Sequence, residues 1–341
     1  MKRLLFIVFS FACAVTLTAQ AVADVVLSQE NTRMRIDYAL SAQVETFIYA
    51  SRDSGRTFVP IKQLTGNYGY QTVAGRNTAY WDALGEWGEF TADVLVKVVV
   101  PDTIIQLMIG DVPFTFVYVQ GDTYTMGAGD AKKIAASDLP HRVTIRSFYM
   151  ATTEVTQRQW QAVMADKRPV VTKKTMPVNL VSYEDALLFV KQMSKMTGLH
   201  IDIPTEAEWE YAARGGIRTQ NYRFSGSNNA YEVANIGRTP NEDNDYNPVI
   251  CVAAKHPNEL GLYDMTGNLL EWCRDWYGPY DTDFSVNPIG PQQGEHRVAR
   301  GGSWQYKANE SRVNARFHFP PANRMADTGL RIVMYINEEK L

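Results

Sequence analysis

Residues 205–216 read TEAEWEYAARGG, a helix with both ends marked in the sequence. Thr205 precedes the first turn and Glu208 follows three residues on, the reciprocal pair that satisfies two otherwise unbonded N–H groups at a helix start. Gly215-Gly216 stops it, since glycine enters the left-handed conformation without a Cβ penalty. Trp209, Ala212 and Ala213 share the inward face. Upstream, SYEDALLFVKQMSKMTG repeats the design. Ser182 caps, Asp185 takes the third helical position, and Ala186, Phe189, Val190 and Met193 form an i, i+3, i+4, i+7 stripe that Gly198 ends. Such stripes are packing surfaces. Two short capped helices among long loops commit the C-terminal part to a mixed α+β fold.

The first hundred residues have a different texture. RIDYAL alternates, with Ile36, Tyr38 and Leu40 on one face. VETFIYAS, RTFVPI and TADVLVKVVVP read as further strands, with the turn Ser51-Arg52-Asp53-Ser54-Gly55 between the first two. Trp81 and Leu84 read as core plugs near a loop. We expect a small all-β sandwich, loosely similar to immunoglobulin-like modules, over residues 24–102. PDTIIQLMIGDVP supplies a connector over 103–113, and the α+β domain occupies 114–341. There FVYVQGDTYTMGAGD reads as a hairpin, and HRVTIRSFYMATTEVT as a strand running into a helix.

Residues 1–23 read as a signal peptide: Lys2 and Arg3, an apolar run from Leu4 to Val15, then Ala19-Gln20-Ala21 and Ala21-Val22-Ala23 as cleavage sites. A lipid anchor at Cys13 is the alternative, disfavoured by Ser10 where a leucine-like residue is usual. An exported chain is expected, in the periplasm, secreted or on the outer surface, and with no transmembrane helix once processed. Only Cys251 and Cys273 then remain, as one disulfide or as two free thiols. The net charge of −3 and the lack of a basic run exclude a nucleic-acid partner.

Six segments follow one another in a set order: MATTEVTQRQWQAVM, MPVNLVSYEDALLFVKQM, IPTEAEWEYAARGG, GLYDMTGNLLEWCRDWY, RVARGGSW and TGLRIVM. Together they resemble the formylglycine-generating enzyme, or sulfatase-modifying factor, family. The resemblance implies a C-type-lectin-like α+β fold. It also implies a structural calcium site with Asp264 and Glu271 as side-chain ligands and Gly267 and Leu269 as carbonyl ligands. The same two carboxylates also suit a capped turn that binds only backbone N–H groups. A second calcium site would use Asn235 and Ile236 with Asn241, Asp243 or Asp245; a solvated acidic loop is the plain alternative there. The histidines, His141, His200, His256, His296 and His318, show no metal-ligand spacing such as HxxxH.

Enzymes of this family oxidise a cysteine to formylglycine with a copper-binding thiol pair, and soft Cu(I) requires thiolate ligands. The matching positions here are Tyr306 and Ser311, so copper binding and cysteine oxidation are not expected. Ser303 has no base partner in the sequence and is read as bonding within its turn. Arg300, Arg312, Arg316 and Arg331 are expected to pair with Asp275 and Asp327. The candidate ligand groove comprises Ser303, Trp304, Tyr306, Arg316 and His318, with Phe319 beside them. The expected function is non-catalytic: a binding or structural component of the bacterial cell envelope that recognises a protein, a peptide or a glycan. The alternative is a divergent oxidase or another metal-assisted enzyme on the same scaffold.

Overall fold

The computed structural model describes residues 22–69, 71–88, 94–100, 103–127, 139–165, 175–237, 249–281 and 283–335. Residues 1–21, with Cys13, lie outside them, as do Asn241, Asp243 and Asp245. The chain divides into two units, with the boundary between Thr103 and Ile104.

The first unit contains β1 (Val22–Glu30), β2 (Arg33–Leu40), β3 (Phe47–Ser51), β4 (Val59–Pro60), β5 (Leu64–Gly66), β6 (Gly75–Trp81) and β7 (Leu95–Val99), with one short helix, α1 (Ala83–Trp87). Two antiparallel sheets, β1-β2-β6-β5 and β4-β3-β7, enclose one core. The alternation of β2 holds, with Ile36, Tyr38 and Leu40 all buried. Trp81 is buried as well, whereas Leu84 points out and is not a core plug.

The second unit contains β8 (Ile104–Ile109), β9 (Val112–Val119), β10 (Thr123–Met126), β11 (His141–Thr144), β12 (Phe148–Ala151), α2 (Gln157–Met164), α3 (Tyr183–Thr197), β13 (His200–Asp202), α4 (Glu206–Ala213), α5 (Ala230–Val233), β14 (Leu270–Trp276), β15 (Ser285–Val286), β16 (Arg297–Arg300), β17 (Arg316–Phe319), β18 (Thr328–Gly329) and β19 (Val333–Tyr335). The sheets run β13-β19-β12-β9-β8, β17-β16-β14-β18 and β10-β11-β15. The segment read as a linker over 103–113 is therefore largely strand: β8 pairs with β9 across a turn at Gly110, whose φ is 59°. The hairpin expected in FVYVQGDTYTMG does not form, because β9 pairs with β8 and β12 while β10 pairs with β11. The run HRVTIRSFYMATTEVT holds two strands, β11 and β12, before α2 begins.

Three helices carry the reciprocal cap at their start: Thr156 with Gln159, Ser182 with Asp185, and Thr205 with Glu208. The stripe on α3 is wholly buried. It packs on α2, with Trp160 stacked on Phe189 at 5.1 Å between ring centroids. Among the described residues no helix is long and apolar enough to cross a membrane.

Candidate binding site around the C-terminal loop

After β16, the chain turns through Gly301 and Gly302, at φ 94° and 73°, into Ser303. Only glycine fits the second position. Its φ is left-handed, and a Cβ there would lie 2.7 Å from the Ser311 Cβ. The Ser303 hydroxyl is fully buried and donates to Asp327 Oδ2 at 2.7 Å. Ser303 is thus a structural residue and not part of an open groove. Gly267 N donates to Gly301 O (2.9 Å) and Trp304 N to Asn268 O (3.0 Å), which fastens this turn to the Gly267–Asn268 turn.

Tyr306 and Ser311 stand at the two ends of the next segment. Ser311 is buried and donates to Lys307 O at 3.2 Å. Tyr306 is half-buried against Phe317, ring centroids 4.5 Å apart. Cys273 is buried in the core under α4, and burial pushes its thiol far above the ordinary range. Cys251 sits 3.7 Å from the Met176 sulfur, and both cysteines are free.

The expected groove residues do not share one face. Strand alternation sends Phe317 and Phe319 toward the core with Tyr306, and Arg316 and His318 to the other side. There His318 stacks on Tyr277 at 3.9 Å and its Nδ1 lies 2.7 Å from His296 Nδ1. Partial burial, His296 and Arg316 all lower the His318 pKa. Trp304 and Tyr306 remain beside the loop, apart from Arg316 and His318. What does open next to the Tyr306–Ser311 segment is a polar cavity of about 420 Å³, lined by Arg223, Phe224, Asn229, Tyr231, Lys307 and Asn309 among others. Sequence reading missed it because three separate segments build it.

The arginines pair, but not with the expected aspartates. Helix α4 turns Glu206, Glu208 and Glu210 inward, all nearly inaccessible. Arg300 pairs with Glu210 while its Nε lies 3.5 Å from Glu206. Arg316 grips Glu206 with two bonds, at 2.7 and 2.9 Å. Asp275 instead accepts Glu206 N at 2.8 Å, and Asp327 serves Ser303. Two N–H···O bonds from one guanidinium to one carboxylate are shorter and about twice as strong as neutral hydrogen bonds. Glu206 and Glu210 thus tie β16 and β17 to α4.

The Gly267 turn brings the calcium candidates together. Asn235 forms an isolated parallel bridge with Gly267, and Asn235 O accepts from Asn268 N at 2.7 Å, so the two expected sites adjoin. Ile236 is buried beside them. Glu271, however, offers no free oxygen. Its carboxylate accepts Arg331 Nε at 3.0 and 2.9 Å, Arg331 Nη2 at 2.7 Å and Trp209 Nε1 at 2.6 Å. Asp264 accepts Ala253 N at 2.7 Å through one oxygen. Calcium takes six to eight oxygens. As arranged, Asp264 with the Gly267 and Leu269 carbonyls falls short of that shell, and the Glu271 oxygens are taken by Arg331 and Trp209. Glu154 is a site residue the sequence reading did not single out. It is fully buried and accepts Asn268 Nδ2 at 2.8 Å and Leu269 N at 2.9 Å. Burial, with Asp264 and Glu271 nearby, raises its pKa well above the usual carboxylate range.

This scaffold has relatives. The Sulfatase-modifying factor enzyme 1-like domain matches residues 112–336. A chaperone protein LppX of Paenibacillus barcinonensis is 31% identical, over 63% of this chain and 90% of its own length. A formylglycine-generating enzyme of Streptomyces coelicolor is 33% identical over 50% of this chain, which spans 57% of that enzyme. Among solved structures, Treponema denticola variable protein 1 superposes with a TM-score of 0.61 at 28% identity, covering 69% of this chain and 100% of that one. PvdO from Pseudomonas aeruginosa, at 22% identity and a TM-score of 0.57, shares the fold. The domain match over residues 112–336 and the buried framework that holds those strands lead to one conclusion: the chain belongs to the sulfatase-modifying factor enzyme 1-like domain family.

Proposed function

We propose that this chain is an exported envelope protein that uses the family scaffold to bind a protein, a peptide or a glycan, and that it does not oxidise cysteine. One observation carries the reading. Tyr306 and Ser311 occupy the positions where the family pattern places its thiol pair, and Ser311 is packed under Gly302 with no room for a ligand. A phenol and a hydroxyl cannot replace thiolates for Cu(I). Cys273 is no substitute, since its buried, protonated thiol is a core group.

The cavity beside this segment supports a binding role. Arg223 and Lys307 provide positive charge, and Asn228 and Asn309 add polar groups, while Asn229 bonds Glu232 and Tyr231 N. Such a lining suits hydroxyl-rich or carboxylate-bearing ligands. The similarity to a protein named as a chaperone points the same way. Calcium is not part of this proposal, since Arg331 and Trp209 engage both oxygens of Glu271.

A glycan array read alongside acidic peptides tests the binding role. Wild-type protein should retain a subset of ligands that Lys307→Glu with Arg223→Glu releases. Equal retention by the double variant would sink the assignment to this cavity.

A further inference from the structure

A second cavity, of about 330 Å³, shares no lining residue with the one beside Lys307. Its floor is Glu206, Asp275, His141 and Arg316, and its mouth is formed by residues 278–281 and 285–291 of a proline-rich loop. The register of β14 against β16 slips between Trp272 and Trp276, and this irregularity turns Asp275 into the space under the loop.

The polar atoms left over at the floor are Asp275 Oδ1 and His141 Nε2. Arg316 is spent on Glu206 and on Gly278 O (3.2 Å). Tyr280 OH donates to the same glutamate at 3.1 Å. Asp275 uses one oxygen for Glu206 N, and among the described residues nothing donates to its Oδ1. His141, only 7% exposed, places Nδ1 3.1 Å from Leu139 O. A carbonyl only accepts, so Nδ1 is the donor in that bond, and Nε2 has no partner among the described residues. Two nearly buried side chains, Asp275 and His141, thus bring to the cavity polar atoms that have no partner among the described residues. Among the described residues no cation makes a direct ion pair with Asp275 or with the exposed Asp281, although Arg316 lines the same space.

The mouth is apolar. Pro279, Pro288, Pro291 and Ile289 line it, and the same loop exposes Phe284, Val286 and Ile289. Exposed apolar side chains gathered on one loop mark a contact surface for a polypeptide more than for a free small molecule.

We infer that this cavity takes the side-chain ammonium of a lysine presented by a partner polypeptide, with its methylene stem against the prolines and the ammonium between Asp275 and His141. The single open oxygen of Asp275 cannot form the two parallel bonds that a guanidinium prefers, which favours lysine over arginine. The volume lies at the small end of ligand sites, about 300–1,000 Å³, and suits one side chain. The inference is independent of the role proposed for the loop at Tyr306.

Asp275 would change state on binding. Burial first, then Glu206 and Glu208 of α4, push its carboxyl up to about 8, while Arg316 of β17 and the bond from Glu206 N oppose the shift. His141 of β11 and Asp281 also face it. A bound ammonium favours the carboxylate, so binding near neutral pH should release a proton.

The test is calorimetric titration with acetyl-Leu-Lys-Leu-amide, with its norleucine counterpart, and with n-butylamine, in two buffers of different ionisation heat at pH 7. The lysine peptide should bind with proton release, the norleucine peptide should not bind, and n-butylamine should bind more weakly than the peptide. Asp275→Asn, and separately His141→Ala in case the first fails to fold, should weaken the lysine peptide by about tenfold or more. Equal binding of the lysine and norleucine peptides, no binding of either, or undiminished binding by a folded variant would overturn the site. Butylamine binding as tightly as the peptide would overturn the polypeptide assignment.

Discussion

Arg331 and Glu271 form an ion pair in which neither side chain reaches solvent, with Nη2 and Oε1 2.7 Å apart. The remaining Arg331 donors are used too: Nη1 bonds Ala151 O at 2.9 Å and Nη2 bonds Tyr263 O at 2.6 Å. One guanidinium thus ties β14 to β12 and to the loop before the Gly267 turn. Arg331→Met would leave the buried Glu271 without its arginine partner beside Glu154 and Asp264. Breaking a buried pair from one side costs about 3–5 kcal/mol. Urea unfolding followed by tryptophan fluorescence should register a loss of that order in the second unit. A loss below about 1 kcal/mol would mean the pair is not what holds these strands.

The same pair decides the calcium question. With every Glu271 oxygen engaged, chelation should leave the melting temperature unchanged, since an ion stabilises only what it binds. A fall of several degrees on adding EDTA, reversed by calcium, would show that an ion replaces Arg331 at Glu271.

Gly302→Ala tests how the family turn is locked. The position is left-handed at φ 73°, and the added Cβ meets Ser311 at its Cβ (2.7 Å) and Cα (3.0 Å). Conformation alone costs about 1 kcal/mol, and the clash with a buried neighbour adds to it. Paired with Ser311→Gly, which removes the obstacle, the variant should regain part of the loss. If Gly302→Ala is neutral by thermal unfolding, the two segments are not in contact as described.

Much of this was legible before the structure. The caps of α3 and α4 are local chemistry, so Ser182 with Asp185 and Thr205 with Glu208 appear where the sequence puts them. The order of the six segments carried the fold of the second unit. The hairpin of β8 and β9 was missed because Pro101 and Pro113 mark a connector, while the turn at Gly110 sits between two alternating runs. Partners distant in sequence were the other failure. Arg300, Arg316 and Arg331 announce ion pairs, but the choice of Glu210, Glu206 and Glu271 over Asp275 and Asp327 depends on how α4 lies on the sheet. Likewise, that Arg316 and His318 lie apart from Tyr306 follows from strand alternation only once β17 is known to start at Arg316.

Asp275 should leave a signature in the pH dependence of stability. Its carboxyl ionises at about 8 in the folded chain and in the ordinary carboxylate range when unfolded. Between those values the folded state holds the proton and the unfolded state does not, so stability falls as pH rises and levels off above about 8. Asp275→Asn removes the ionisation and should flatten that decline relative to wild type. Parallel profiles for the two proteins from pH 5 to 9 would mean that Asp275 is ionised throughout.

The central claim is that the family scaffold persists here without its oxidation chemistry. The direct measurement is mass spectrometry of a CxPxR-type peptide incubated with this protein, Cu(I) and oxygen, with a formylglycine-generating enzyme run alongside as control. The account predicts an intact cysteine and no oxygen uptake above the peptide-only blank. Catalytic conversion of the peptide cysteine to formylglycine would contradict it.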